Sequence, residues 1–138
     1  MRLLLDTNVV SELRKARPNA RVVDWYAQQR TADVYLSALV VGEIRQGVER
    51  LRGRDESRAA TLERWLDGLQ ASYADRILPV TAEIAQEWGR LNAAAKPPPV
   101  VDGLMAATAR VHRLTLVTRN VADVSRAGVP TVNPFAPA

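Results

Sequence analysis

The sequence predicts an α/β fold in which helices flank a mostly parallel sheet of about four to five short strands. Three observations carry this expectation. Short apolar runs alternate with longer amphipathic segments along all 138 residues. The runs lack the polar–apolar alternation of a half-solvated strand, as expected where helices cover both faces of a sheet. No internal repeat, low-complexity tract or shift in composition divides the chain, so residues 1–138 read as a single domain with one core.

Taken in order, Leu3 to Leu5 form the first apolar run, and Thr7 to Arg14 continue as a helix or turn. Arg17-Pro18-Asn19 interrupts the chain. Asn19 suits the N-cap of a helix over Arg21 to Gln29, whose Val22, Val23, Trp25 and Tyr26 give it an apolar side. Asp33 to Ser37 read as a second strand, and Ser37 can cap a helix from Ala38 to about Leu51. After a break at Gly53, Ser57 to Ala74 form a long helix with Leu62, Leu66 and Leu69 at helical spacing. Ile77 to Val80 read as a third strand, and Thr81 caps a helix to about Ala95, stopped by Lys96-Pro97-Pro98-Pro99. A helix over Val101 to Arg113, a strand over Thr115 to Thr118, a short helix over Asn120 to Arg126 and an edge strand over Pro130 to Val132 complete the pattern before the irregular tail NPFAPA.

Composition narrows the chemistry. Hydrophobic residues make up 47% of the chain and charged residues 25%, the balance of a globular protein with a buried core. No apolar run approaches the ~20 residues that cross a bilayer, and one Arg with three Leu before Asp6 is no secretory signal, so a cytoplasmic protein without a membrane segment is expected. With no cysteine, disulfides, thiolate metal sites and cysteine nucleophiles are excluded. The single histidine, His112, excludes a multi-histidine zinc site and leaves a Ser-His-Asp triad only if His112 serves it. A bound metal would need oxygen ligands, which favours Mg²⁺ or Mn²⁺. The net charge of +4 suits an anionic partner, although an arginine-rich composition alone gives the same balance. Neither G-x-G-x-x-G nor G-x-x-x-x-G-K-[ST] is present, which argues against nucleotide binding through a glycine-rich loop.

The carboxylates fall where such a fold builds sites. In an open α/β sheet, ligands bind at the carboxyl ends of strands. Asp6 ends the first strand, and Asn120 and Asp123 follow the fourth in TLVTRNVAD. On the helix after the second strand, Val40, Ile44, Val48 and Leu51 form a stripe. Glu43 lies within that apolar arc rather than with Arg45 and Glu49, and Gly47 one turn on is expected to leave space beside it. Asp102 stands in the first turn after the prolines, bordering the face of Val101, Leu104, Met105 and Thr108. Each acid alone has an ordinary explanation. Asp102 could cap its helix, Glu43 could pair with an arginine, Asp6 could hydrogen-bond a turn, and Asp123 could cap the last helix. Together, clustered carboxylates raise one another's pKa, and a shared divalent cation relieves that cost. The expected partner of Asp6 is therefore a metal, shared with Asp102 and others.

The order LLLDTN, SALVVGEI, VVDGLMAATA and LVTRNVAD resembles the PIN-domain ribonucleases, specifically VapC-type toxins of bacterial type II toxin–antitoxin pairs, with the FitB-like branch especially close. The resemblance covers nearly the whole chain. It implies a small α/β/α sandwich around a parallel sheet and a metal-dependent endoribonuclease neutralised by a cognate antitoxin. Carried over by residue, the acidic set is Asp6, Glu43, Asp102 and Asp123, with Asp6, Asp102 and Asp123 on Mg²⁺ or Mn²⁺. Asn120 matches a polar position that helps to hold the metal or its water, and Thr7 and Thr118 match small hydroxyl positions beside the acids. Val124 stands where the last motif often carries an aromatic residue, which leaves the orientation of Asp123 least constrained. Water activated by the metal would attack the phosphodiester of an RNA substrate, with Glu43 or Asp123 as general base. Similar toxins form homodimers and bind an antitoxin's C-terminal segment over the active-site groove.

Other features have competing explanations. Arg119, beside Asn120, is a candidate substrate contact. Arg45, Arg50, Arg52, Arg54 and Arg58 could hold RNA phosphates or form a solvated junction interleaved with Asp55 and Glu56. Trp25, Tyr26 and Tyr35 could stack bases or pack on the core, and Trp65 and Trp88 read the same way. His112 fits the C-terminal dipole of its helix. The helix bearing Leu62, Leu66 and Leu69 could exceed the needs of a small core and so serve a partner. Two rivals to the nuclease follow: a binding partner that helps an antitoxin to hold operator DNA, and another metal-dependent phosphoryl hydrolase, disfavoured because no D-x-D follows the first strand.

Overall fold

A computed structural model describes residues 1–94 and 96–137. Its strands are β1 (Leu3–Leu5), β2 (Val34–Ser37), β3 (Ile77–Leu78), β4 (Thr115–Val117) and β5 (Thr131–Val132). They form one sheet in the order β3-β2-β1-β4-β5. Every pairing is parallel, so the mostly parallel sheet of the sequence reading is wholly parallel among the described residues. β1 lies at the centre, with Leu3 opposite Val34 on one side and Thr115 on the other. Leu3, Leu4 and Leu5 are no more than 1% exposed, which explains an apolar run without alternation: both faces are covered.

The helices are α1 (Thr7–Arg14), α2 (Ala20–Ala27), α3 (Ala38–Arg52), α4 (Glu56–Ser72), α5 (Ala82–Asn92), α6 (Val100–His112) and α7 (Val121–Val124). Three expected caps are in place. Asn19 accepts from the Arg21 and Val22 amides, Ser37 from Leu39, and Thr81 from Ile84. Where the ends differ, local chemistry accounts for most of the shifts. α4 starts at Glu56 because the Asp55 carboxylate caps the Arg58 amide. α6 stops at His112 because Arg113 turns left-handed, with φ 56°. β3 stops at Leu78, since Pro79 has no N–H to extend a ladder. Asp33 leaves the expected strand for a 3₁₀ turn over Thr31–Asp33, and another, Ser125–Ala127, follows α7. α5 ends at Asn92, short of the expected end near Ala95; Ala95 and Ala138 lie outside the described residues.

α3 packs on α4, and α5 on α6. The second contact is close. A Cβ on Gly103 would lie 2.5 Å from Asn92 Oδ1 and 3.0 Å from the Trp88 ring, so any larger residue there would force these side chains to shift. Leu62 and Leu66 are buried in the core, with Leu69 packed against it, so this stripe belongs to the fold itself. Trp25, Tyr26, Tyr35 and Trp65 are partly buried against the same core. No helix among the described residues is long and apolar enough to cross a membrane.

The strand order decides where a site can form. From β1 the chain moves through β2 to β3 on one side, then returns to β4 on the other side of β1. The carboxyl ends of β1 and β4 therefore flank the switch point, where a crevice opens in folds of this kind.

Candidate active site

Asp6 follows β1 directly and caps α1, its Oδ1 accepting from the Thr7 amide at 2.7 Å. It is 7% exposed, and a carboxylate so buried needs donors. The other strand end supplies them. The Thr118 hydroxyl, immediately after β4, donates to Asp6 Oδ2 at 2.7 Å, and the Asn8 amide donates to the same oxygen at 3.3 Å. The Asp6 amide donates to the Val117 carbonyl at 2.8 Å. Two ends separated by more than a hundred residues in sequence are thus tied together by hydrogen bonds.

Glu43 projects from α3 towards the start of α1, where the Thr7 hydroxyl donates to its Oε1 at 2.5 Å. Among the described residues it forms no ion pair, so its partner is a hydroxyl and not the arginine considered from the sequence. The space expected beside Gly47 is present but bounded: a Cβ there would make ordinary contact with Leu62 of α4 at 3.6 Å.

Asp102 lies in the first turn of α6 but does not cap it; Pro99 holds the N-cap position, with no side-chain hydrogen bond. Its carboxyl is pushed above the usual carboxylate range, first by burial and then by the charges of Asp6, Asp123 and Glu43. The four predicted acids are therefore electrostatic neighbours, although they come from four separate parts of the chain. Asp123 sits inside α7 rather than at its cap, is exposed, and lines a cavity of about 270 Å³ with Lys96, Pro97, Pro98, Pro99, Gly103 and Ala106. Among the described residues no three of these acids stand close enough together, as placed, to hold a metal ion between them.

Polar side chains stand beside two of the acids. Thr7 and Thr118 hold Glu43 and Asp6. Asn120 is exposed, and its amide donates to the Thr118 hydroxyl at 3.0 Å. Arg119 is exposed beside them, but its guanidinium stacks over Phe135 at 3.8 Å, a contact with the tail that the sequence did not announce. Asn8 was not singled out from the sequence. Its place two residues after Asp6 was visible, but its bonds to Thr118 and Arg119 depend on the fold.

The arginines at the α3–α4 junction divide. Arg45 and Arg52 are committed to Glu63, at 2.6 and 3.0 Å, and to Glu49, so they serve the helix pair. Those contacts hold Glu49 and Glu63 below the ordinary carboxylate range. Arg50, Arg54 and Arg58 are exposed. His112 ends α6, and its carbonyl accepts from the Arg2 guanidinium at 2.9 Å.

Comparison with known proteins gives a consistent picture. The PIN domain family matches residues 3–128. Toxin FitB of Neisseria gonorrhoeae is 37% identical over 137 residues, covering 96% of this chain and 98% of that protein. VapC ribonuclease Y4jK of Sinorhizobium fredii is 35% identical over 141 residues, covering 99% of each. A solved structure of FitAB bound to an IR36 DNA fragment has a chain that superimposes with a TM-score of 0.91 at 34% identity, covering 99% of this chain and 97% of that one.

Proposed function

This chain belongs to the PIN-domain family, and from that premise we propose that it is an endoribonuclease toxin of the VapC type, dependent on a divalent metal and neutralised by a cognate antitoxin in the cytoplasm. The observation that carries the reading is the placing of Asp102. A half-buried carboxylate, already disfavoured by burial, faces the charges of three further acids, and among the described residues it forms no ion pair. A cation from outside the chain removes that conflict.

The donor set fits such an ion. All four side chains offer oxygen, the ligand of Mg²⁺ and Mn²⁺, and no thiolate or imidazole competes. Asp6, Asp102 and Asp123 would hold it. When bound, it supplies Lewis-acid charge towards a phosphodiester and acidity to water.

The rest is the work of the chain. Thr118, Asn8 and the Thr7 amide fix both oxygens of Asp6 before anything binds. Thr7 orients Glu43, and Glu43 or Asp123 would act as the general base towards the attacking water. The exposed Arg119, steadied by Phe135, offers a cation to the phosphates of the strand. The two named toxin and ribonuclease relatives, and the DNA-bound FitAB structure, support an antitoxin partner, and a homodimer is part of the same proposal.

The test is incubation of purified, antitoxin-free protein with total RNA in Mn²⁺ or Mg²⁺, then with EDTA, beside Asp6→Asn. Discrete cleavage that needs both the metal and Asp6 is expected. Folded protein that cleaves none of several RNA pools points instead to a partner that helps an antitoxin to hold operator DNA. Cleavage surviving EDTA and the substitution removes these carboxylates from the mechanism.

A further inference from the structure

Asn8 carries no charge and does not belong to the acidic set, yet its amide touches both strand ends at the site. Its Nδ2 donates to Asp6 Oδ2 at 3.3 Å and to the Thr118 hydroxyl oxygen at 3.4 Å. Its Oδ1 accepts from the Arg119 amide at 3.2 Å. The inventory of the side chain matches this use: two N–H groups meet two oxygens, and one carbonyl meets one N–H. A reversed amide would set its oxygen against a carboxylate and its N–H groups against another N–H. The neighbours therefore dictate both the residue type and its orientation. Thr118 closes the circuit, donating to Asp6 and accepting from the Asn120 amide.

From this geometry we propose that Asn8 is a positioning residue for Asp6. It fixes the carboxylate relative to the Arg119–Asn120 segment and thereby sets the affinity of the acidic site for a divalent ion without being a ligand itself. The inference rests on the metal-dependent reading above. Asn8→Asp and Asn8→Ala separate its two arms. Asn8→Ala removes both. Asn8→Asp is nearly isosteric and keeps the acceptor for the Arg119 amide, but it loses the N–H directed at Asp6 and sets a second carboxylate beside it.

The experiment is titration of the purified wild type, both Asn8 variants and Asp6→Asn with Mn²⁺, free ion followed by electron paramagnetic resonance, with metal-free thermal melts as a folding control. Both Asn8 variants are expected to bind Mn²⁺ roughly 10–100-fold more weakly, the usual cost of losing a partner that orients a ligand. Their RNA cleavage is expected to recover at saturating Mn²⁺, which a damaged fold or a lost catalytic group would not allow. Asn8→Asp binding Mn²⁺ as tightly as the wild type, or more tightly, overturns the role towards Asp6, whatever Asn8→Ala does. Wild-type affinity in both variants, with binding lost in Asp6→Asn, removes the Asn8 inference and leaves the metal reading standing. A wild type that binds no Mn²⁺ removes the metal reading and this role with it.

Discussion

Two groups of acids in this molecule live by opposite rules. At the α3–α4 junction, Glu49 and Glu63 sit among Arg45 and Arg52, and the arginines hold their pKa values down. At the strand ends, among the described residues, Asp6 and Glu43 receive only neutral donors, and Asp102, pushed up by burial and by other acids, forms no ion pair. The chain carries 19 basic residues against 15 acidic ones, so cations were plentiful. The contrast teaches that ion pairs within the chain complete one set of carboxylates, whereas the other, among the described residues, is held by neutral donors alone.

The sharpest way to break the comparison is Asp102→Asn. If the strand-end acids work together, RNA cleavage falls by about a hundredfold or more, as for loss of a group acting at the reacting centre. The same change should stabilise the metal-free protein at neutral pH. Asp102 has a raised folded pKa, so its penalty is absent below the ordinary carboxylate pKa and grows as the pH rises towards the folded value. Melting curves of the wild type and Asp102→Asn should therefore converge in acid and separate near neutrality. Second, saturating Mn²⁺ should raise the Tm of the wild type but not of Asp6→Asn. An ion present at a hundred times its Kd contributes about 2.7 kcal/mol. Third, Gly103→Ala forces a methyl group against Asn92 and Trp88, next to Asp102. Overpacking of this kind costs about 1–3 kcal/mol by denaturant melt, and cleavage should fall as the first turn of α6 shifts. The smallest effect belongs to the other group. Glu63→Gln should lower Tm slightly at low salt, lose that difference at high salt, and leave cleavage unchanged.

Much of this architecture was legible in the residues. The caps at Asn19, Ser37 and Thr81 follow from local side-chain chemistry, and local chemistry reads well from sequence. β1 and β4 were legible because strands buried on both faces lose their alternation. The 3₁₀ turn at Thr31–Asp33 was not, since nothing in those three residues separates it from the start of a strand. The acids were legible as a list through motif order, and the fold adds their mutual field at Asp102. The uses of Asn8 and Phe135 were hidden because they depend on tertiary contacts: Asn8 reaches Thr118 and Arg119 across the sheet, and Phe135 meets Arg119 only once the tail folds back. Likewise, Gly103 reads as an ordinary helical glycine until α5 is laid against it.

The central strand has a further consequence, for the timing of synthesis. β1 emerges first from the ribosome, yet Asp6 gains its Thr118 donor only from a segment 112 residues later. Parallel pairing allows no nearby hairpin substitute, because every neighbour of β1 arrives by a crossover. A nascent chain therefore carries its acids unassembled until β4 is available. A chain truncated before β4 holds three of them, Asp6, Glu43 and Asp102, without the strand end that brings Asp6 under control. The order of the strands thus makes the completed site a late product of synthesis, waiting on β4.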